Sequence, residues 1–424
     1  MPLLPPSTLD SQKRLGPALL VLLGTLALLV ACVKGKAKPS SDAAAQPART
    51  EAAALVLPLS GPYGSIGSRI LVGVRLAQDV LARQGHALQL DVIDSTDPAI
   101  AERLTALPAN RVLVGGPLRA QVFATLRATA SLRGRAVFAF MPDLDQGAVE
   151  GRDAWRLFAS PQDQVRTVLL AAMADFGVDR FAALLPDEPY GERMGRFFEQ
   201  EAAAHNATLV RQAIYPPARP LDWSSVAAGL LGKARGGLNA DPGFRAVYLP
   251  DVWSQVEMLI PNFFLLKEDR MLLLGSSLWG QTFGGEMRLP PRSRRLALFP
   301  GAWWSGNPSP AAQELLEGLG RQPSAPADAQ WEALGFDFVR LAARLGQLPP
   351  DWTPKLVNQR LQAAQSMDWA MAPITWDASG LAAQKLFLFT PTPNGPAPAD
   401  IPAMRERFRL TDQLRQRLAA PAAP

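Results

Sequence analysis

Two tripeptides, Pro62-Tyr63-Gly64 and Pro189-Tyr190-Gly191, hold two of the four tyrosines in the chain, and each follows a Leu-Pro pair, Leu57-Pro58 and Leu185-Pro186. A phenol set between a proline and a glycine either shapes a turn or presents an aromatic, hydrogen-bonding face to a ligand. Ser60, Ser65 and Asp143 stand at comparable strand ends in the first half of the chain, and Asp251, Trp253, Ser277 and Trp279 in the second. Hydroxyls, carboxylates and indoles in that mixture suit a sugar-like, peptide-like or other amphipathic solute, with core packing as the other reading of both tryptophans. Catalysis is harder to assemble. No G-x-S-x-G elbow and no G-x-x-x-x-G-K-[ST] loop occurs, and the neighbours Asp187 and Glu188 read as a solvated loop pair. One cysteine and two histidines, His86 and His205, cannot build a zinc or iron–sulfur cage. The expectation is a binding protein with no cofactor and no metal, not an enzyme.

Charge narrows the partners. Lys+Arg of 43 against Asp+Glu of 38 leaves a net charge of +5 over 424 residues, with no dense basic stripe, so no nucleic-acid partner is expected. At the N-terminus Lys13 and Arg14 precede an uncharged stretch, Leu15 to Val33, that ends in Leu29-Val30-Ala31-Cys32. This resembles a bacterial lipoprotein signal, which implies cleavage after residue 31 and acylation of Cys32. An uncleaved membrane anchor is the alternative. Residues 32–52 then read as a flexible tether, placing the folded part in the bacterial cell envelope, facing the periplasm and attached to the membrane through lipidated Cys32.

The elements that must hold these residues alternate in type. Short apolar runs at Ala53–Leu59, Leu88–Ile93, Val112–Gly115 and Ala136–Phe140 are separated by helical spacing, most clearly Ile66, Ile70, Val74, Ala77 and Leu81. The pattern restarts at Phe181–Leu185, with strands expected at Thr208–Tyr215, Ala246–Leu249, Met271–Gly275 and Arg295–Phe299. An α/β fold of two lobes follows, each a mostly parallel sheet flanked by helices, with both PYG loops beyond the carboxyl ends of strands. Both histidines fall at helix ends away from any cleft. Trp303-Trp304 is expected at an inter-lobe crossing. Thr392–Pro402 reads as an extended strap, followed by an amphipathic helix carrying Met404, Phe408, Thr411, Leu414 and Leu418. That helix either docks on its own domain or touches anionic lipid.

The runs PLSGPYGSIGSRILVGVRLA (58–77), VLVGGPL (112–118) and LLPDEPYGERM (184–194) resemble the type 1 periplasmic binding proteins of the Leu/Ile/Val-receptor superfamily. AVYLPDVWSQVEMLIPNFF (246–264) with MLLLGSSLW (271–279) is most similar to the penicillin-binding-protein activator lipoproteins. The resemblance implies two hinged lobes and three crossings: 53–158 plus 305–370, 159–304 plus 371–395, and a tail of 396–424. It implies as partner a peptidoglycan synthase or, alternatively, an ABC permease, with a possible small-molecule ligand in the inter-lobe cleft. The sequence departs from the amino-acid receptors where they carry hydroxyl residues after the third and fourth strands. Here those stretches read Gly115-Gly116-Pro117 and Phe140-Met141-Pro142.

Overall fold

The computed structural model describes residues 50–144, 147–232, 241–280, 294–320 and 328–419. The expected signal peptide, Cys32 and all but the last residues of the expected tether lie outside the described residues. The first sheet is built from β1 (Thr50–Leu57), β2 (Ala87–Asp94), β3 (Leu113–Gly115), β4 (Ala136–Ala139) and β5 (Trp155–Arg156), all parallel, in the order β2-β1-β3-β4-β5. The crossover helices are α1 (Gly64–Arg83), α2 (Ile100–Thr105) and α3 (Ala120–Ala128). Ala53 through Leu57 have no exposed surface. That is why β1 reads as a continuous apolar run and not an alternating one: helices cover both faces of a parallel sheet.

The second half repeats the plan. α4 (Pro161–Phe176), β6 (Arg180–Pro186), α5 (Pro189–Ala204), β7 (Thr208–Tyr215), α6 (Trp223–Leu230), β8 (Ala246–Leu249), α7 (Trp253–Leu265), β9 (Leu272–Gly275) and β10 (Ala297–Gly301) follow in turn. α4 starts on a reciprocal capping box between Ser160 and Asp163, with Pro161 at its first turn, and stops at Gly177, whose φ of 65° suits glycine. The chain then returns to the first lobe as α8 (Pro310–Gly318), α9 (Gln330–Leu345), α10 (Pro354–Ala363) and the hairpin β11 (Ile374–Trp376) and β12 (Ala382–Gln384). It ends on the second lobe with β13 (Phe387–Thr392), β14 (Gly395–Pro398) and α11 (Ile401–Ala419). The second sheet runs β14-β13-β10-β9-β8-β6-β7, with β13 antiparallel to β10.

α1 and α9 touch backbone to backbone. A Cβ on Gly73 would lie 1.8 Å from the Glu332 carbonyl oxygen, and one on Gly335 would lie 2.2 Å from that of Ile70. Only glycine permits that approach at either position. Phe336, Phe338 and Val339 of α9 thereby join β1 and α1 in one core.

Three segments cross between the lobes, and buried polar groups stitch them together. Arg156 donates to Asp163 Oδ2 at 2.8 Å and to the carbonyls of Phe158 and Ala382. Asp163 Oδ1 accepts from Gln384 N at 3.2 Å, so the first crossing is bonded to the third. Ala372 N donates to Ala302 O at 2.8 Å, and Asn307 Nδ2 to Ala370 O at 3.0 Å, which ties in the second. Trp303 packs on the first-lobe core while its neighbour Trp304 packs on the second-lobe core, edge-on to Phe387.

Two boundaries differ from expectation. Ile374, Trp376 and Ala382 lie in the first-lobe core, so the return to the second lobe comes after Gln384 and not at 371. The expected strap is largely the β13–β14 hairpin. Thr392 Oγ1 donates to Gly395 O at 2.6 Å and closes the turn, giving the proline-rich segment sheet partners at an edge, where missing N–H groups are tolerated. α11 docks on its own lobe. Met404 and Phe408 are buried, Phe408 meets Phe176 edge-on at 5.7 Å, and Arg405 reaches Asp175 at 2.6 Å.

Candidate functional site

The candidate cleft is at the carboxyl ends of the parallel strands of both sheets, the position at which open α/β sheets bind ligands, where an ion pair joins the two lobes. Arg193, one turn after Tyr190 on α5, donates to Asp143 Oδ2 at 3.2 Å, joining the loop after β4 to the second lobe. Both side chains are about two-fifths exposed (45% and 40%), so this inter-lobe ion pair is open to solvent.

On the first-lobe side, Asp94 at the end of β2 organises the loops. It accepts from Leu59 N at 3.0 Å, Thr96 N at 2.9 Å, Thr96 Oγ1 at 2.8 Å and Ser60 Oγ at 3.3 Å. Burial works to raise its pKa, but these donors outweigh that and hold the carboxyl below its usual range. Ser60, also 2.6 Å from Thr96 Oγ1, is thus a loop pin. Tyr63 is 44% exposed and carries the Arg119 guanidinium over its ring at 5.4 Å, while Ser65 is exposed on the first turn of α1. The ends of β3 and β4 offer the cleft no hydroxyl. Gly115 is backed by the Phe338 ring, which leaves no room for a Cβ, and Phe140 and Met141 are buried.

The second-lobe side is more polar. Tyr190 OH donates to Ser276 Oγ at 3.3 Å, and burial raises the phenol above its ordinary pKa. Tyr215, at the end of β7, donates to Asp251 Oδ2. Burial raises the pKa of both partners, and the neighbouring carboxylate raises that of Tyr215 further. Val252 N also donates to Asp251, at 2.6 Å, holding it at the entry of α7. Ser277 N donates to Gln164 Oε1 at 3.0 Å, which fastens the loop after β9 to the first turn of α4.

Trp253 and Trp279 do not line the cleft. They are 3% and 0% exposed, pack edge-on to each other at 5.1 Å within the second-lobe core, and Trp279 Nε1 donates to Leu249 O at 3.1 Å. Gly275 explains why: a Cβ there would fall 2.3 Å from the Trp279 ring, so the indole folds back into the space that glycine leaves. Of the expected residues, the structure therefore leaves Ser60, Tyr63, Ser65, Asp143, Tyr190, Asp251 and Ser277 around the cleft. It adds Asp94, Arg119 and Arg193, while Tyr215 and Ser276, both without exposed surface, lie behind Asp251 and Tyr190 as their hydrogen-bond partners. Asp94 and Tyr215 close strands whose ends were legible; Arg193 carried no signal, because its partner lies in the other lobe. Among the described residues no group of histidine, cysteine or carboxylate side chains is arranged to hold a metal ion.

Residues 52–237 match the family described as periplasmic binding protein. The chain has the periplasmic-binding-protein fold. The C-domain of LpoA (YraM) from Haemophilus influenzae, a regulator of PBP1A, superposes with a TM-score of 0.59 at 16% identity, covering 82% of this chain and 100% of that one. An ABC transporter substrate-binding protein from Desulfitobacterium hafniense gives 0.62 at 17% identity, covering 83% and 100%. A putative branched-chain amino acid ABC transporter from Rhodospirillum rubrum gives 0.62 at 16% identity, covering 82% and 100%. A sequence comparison with curated proteins finds no match. Solved structures with this fold thus include both a regulator of PBP1A and an ABC transporter substrate-binding protein. Among the described residues no helix is long and apolar enough to cross a membrane.

Proposed function

We propose that this chain is a lipid-anchored protein of the bacterial envelope, held by Cys32, whose two-lobed domain regulates a peptidoglycan synthase by surface contact. The observation that carries the reading is the first-lobe wall of the cleft. Gly115 against Phe338, Gly116 against the Val56 backbone, and the buried Phe140 and Met141 stand where a receptor needs hydroxyls, and Ser60 is already engaged by Asp94 and Thr96. With no hydroxyl at the ends of β3 and β4, that part of the wall offers nothing to compensate the desolvation of an amino acid's charged termini. The similarity in fold to the LpoA C-domain supports the same reading.

A second reading, a substrate-binding lipoprotein of an ABC transporter, rests on the second-lobe wall, where the half-buried Tyr190 and Asp251 are held by Ser276 and Tyr215 behind them. Affinity capture of the full chain from detergent-solubilised envelope separates the two. The regulator reading expects a peptidoglycan synthase, still captured by a Tyr63→Ala, Tyr190→Ala double variant. Recovery of a permease, together with a thermal shift by a common nutrient that the double variant loses, would establish the transport reading instead.

A further inference from the structure

At the end of the second sheet opposite the cleft, a cavity of 260 Å³ opens between α7, the strand entries of β9 and β10, and α11. Its floor and walls are apolar: Ile260, Phe263 and Phe264 of α7, Leu273 of β9, Leu296 before β10 and Leu410 of α11. Two exposed arginines, Arg295 and Arg407, stand on its rim, and neither has a hydrogen-bond or ion-pair partner among the described residues. Of the two acids at the site, Glu268 is buried and bonded to Arg270 at 3.4 Å, and Asp269 is exposed. Apolar surface continues outward over Leu410 and Leu414, which are 51% and 50% exposed, and Leu265, which is 74% exposed and adjoins Phe264.

We propose that this cavity binds a single-chain anionic amphiphile of the fatty-acid type, with its carboxylate between Arg295 and Arg407 and its alkyl chain on the apolar floor. At about 30 Å³ per water-sized group, the space takes roughly nine such groups. A longer chain continues across the exposed leucines. The opening reaches buried strand residues, Leu273 and Leu296 at 7% exposure each, which suits a narrow flexible chain. A stable protein interface instead needs a broad surface of at least about 1,200 Å² in total. The guanidinium pair matches a planar carboxylate through charge-assisted hydrogen bonds.

The test is photolabelling of the full chain in phosphatidylcholine nanodiscs with a diazirine-bearing dodecanoate, the labelled peptides being mapped by mass spectrometry. Label is expected in 253–273 and 401–414. Arg295→Glu with Arg407→Glu lowers it at least about tenfold, as loss of two charge-assisted contacts requires, while the two Lys variants retain most of it. Thr411→Trp, which fills the cavity with both charges intact, also blocks labelling. Decanoate competes and decanol does not. Displacement by phosphatidylglycerol in the nanodisc assigns a membrane lipid as the natural source; resistance to it assigns a free acid. Label scattered over both lobes, indifference to charge reversal in a variant with normal circular dichroism, or equal competition by decanol would overturn the proposal.

Discussion

Asp337 offers a measurement in which one buried proton reports on the joint between the lobes. The side chain, on α9, has no exposed surface. Its Oδ1 accepts from Ala370 N at 2.8 Å and its Oδ2 from Met371 N at 2.9 Å, so it clamps the segment that is in turn bonded to the second crossing. Burial pushes its pKa up from 3.8 to about 7, against the pull of the two N–H donors and of Arg340, with Asp368 adding to the rise. The folded chain therefore keeps a proton between about pH 4 and 7 that the unfolded chain has released. The stability from this group is complete below the unfolded pKa and is lost as pH rises through the folded one. Between the two the slope is about −1.4 kcal/mol per pH unit, and the loss, complete above pH 7, totals on the order of 4 kcal/mol. Asp337→Asn removes the titration and leaves one N–H without an acceptor, a constant cost of about 1–3 kcal/mol. Unfolding free energies from urea titrations of both chains, at steps from pH 5 to 8, should show the variant gaining on the parent as pH rises, with their difference changing by about one proton's slope. Parallel curves, or a variant that loses ground toward pH 8, would refute the reasoning.

Further outcomes follow from the same geometry. Gly73→Ala must push α1 from α9 to relieve a 1.8 Å contact and should cost about 1–3 kcal/mol, read as a lowered Tm. Gly229→Ala on α6 meets nothing within 4 Å and should be neutral or stabilising by up to about 1 kcal/mol. Arg193→Ala should change stability by no more than about 1 kcal/mol, because the pair with Asp143 is half exposed. Small-angle scattering should nonetheless show a larger radius of gyration as the lobes part; an unchanged radius means that the pair does not hold them. Cys32→Ala should abolish fatty-acid labelling of the cell-made protein, and undiminished label would remove the basis for lipid anchorage.

The elements were legible because parallel strands buried on both faces are written as contiguous apolar runs: β8, buried throughout, has the bounds read from the sequence. The PYG echo placed Tyr63 and Tyr190 at the same strand-to-helix turn of each lobe, although sterically it is Gly67, not Gly64, that matches Gly191. A Cβ on Gly67 would lie 1.8 Å from Pro58 O, and one on Gly191 would lie 2.2 Å from Pro186 O. Strand-end reasoning failed for Trp253 and Trp279 because it locates a Cα and says nothing of where a large ring turns; here Gly275 opens an inward space. Phe338 filling the gap beside Gly115, and Arg193 reaching Asp143, join residues distant in the chain, and no local pattern announces such pairs.

The backbone contact between α1 and α9 bears on how the molecule comes into being. α1 emerges early in synthesis, yet the partner that covers Ile70, Val74 and Ala77 spans Gln330–Leu345, and the same core is completed by Trp376 and Ala382. A ribosome or export channel that has released the first half of the chain has thus released a sheet with one flank open. The first lobe cannot close until nearly the last strand is out, and by then the second lobe's β6 to β10 are already available to pair. The second lobe waits longer still, for Phe389, Met404 and Phe408, the interval leaves apolar surface exposed, and no single cut yields either lobe as an intact fragment.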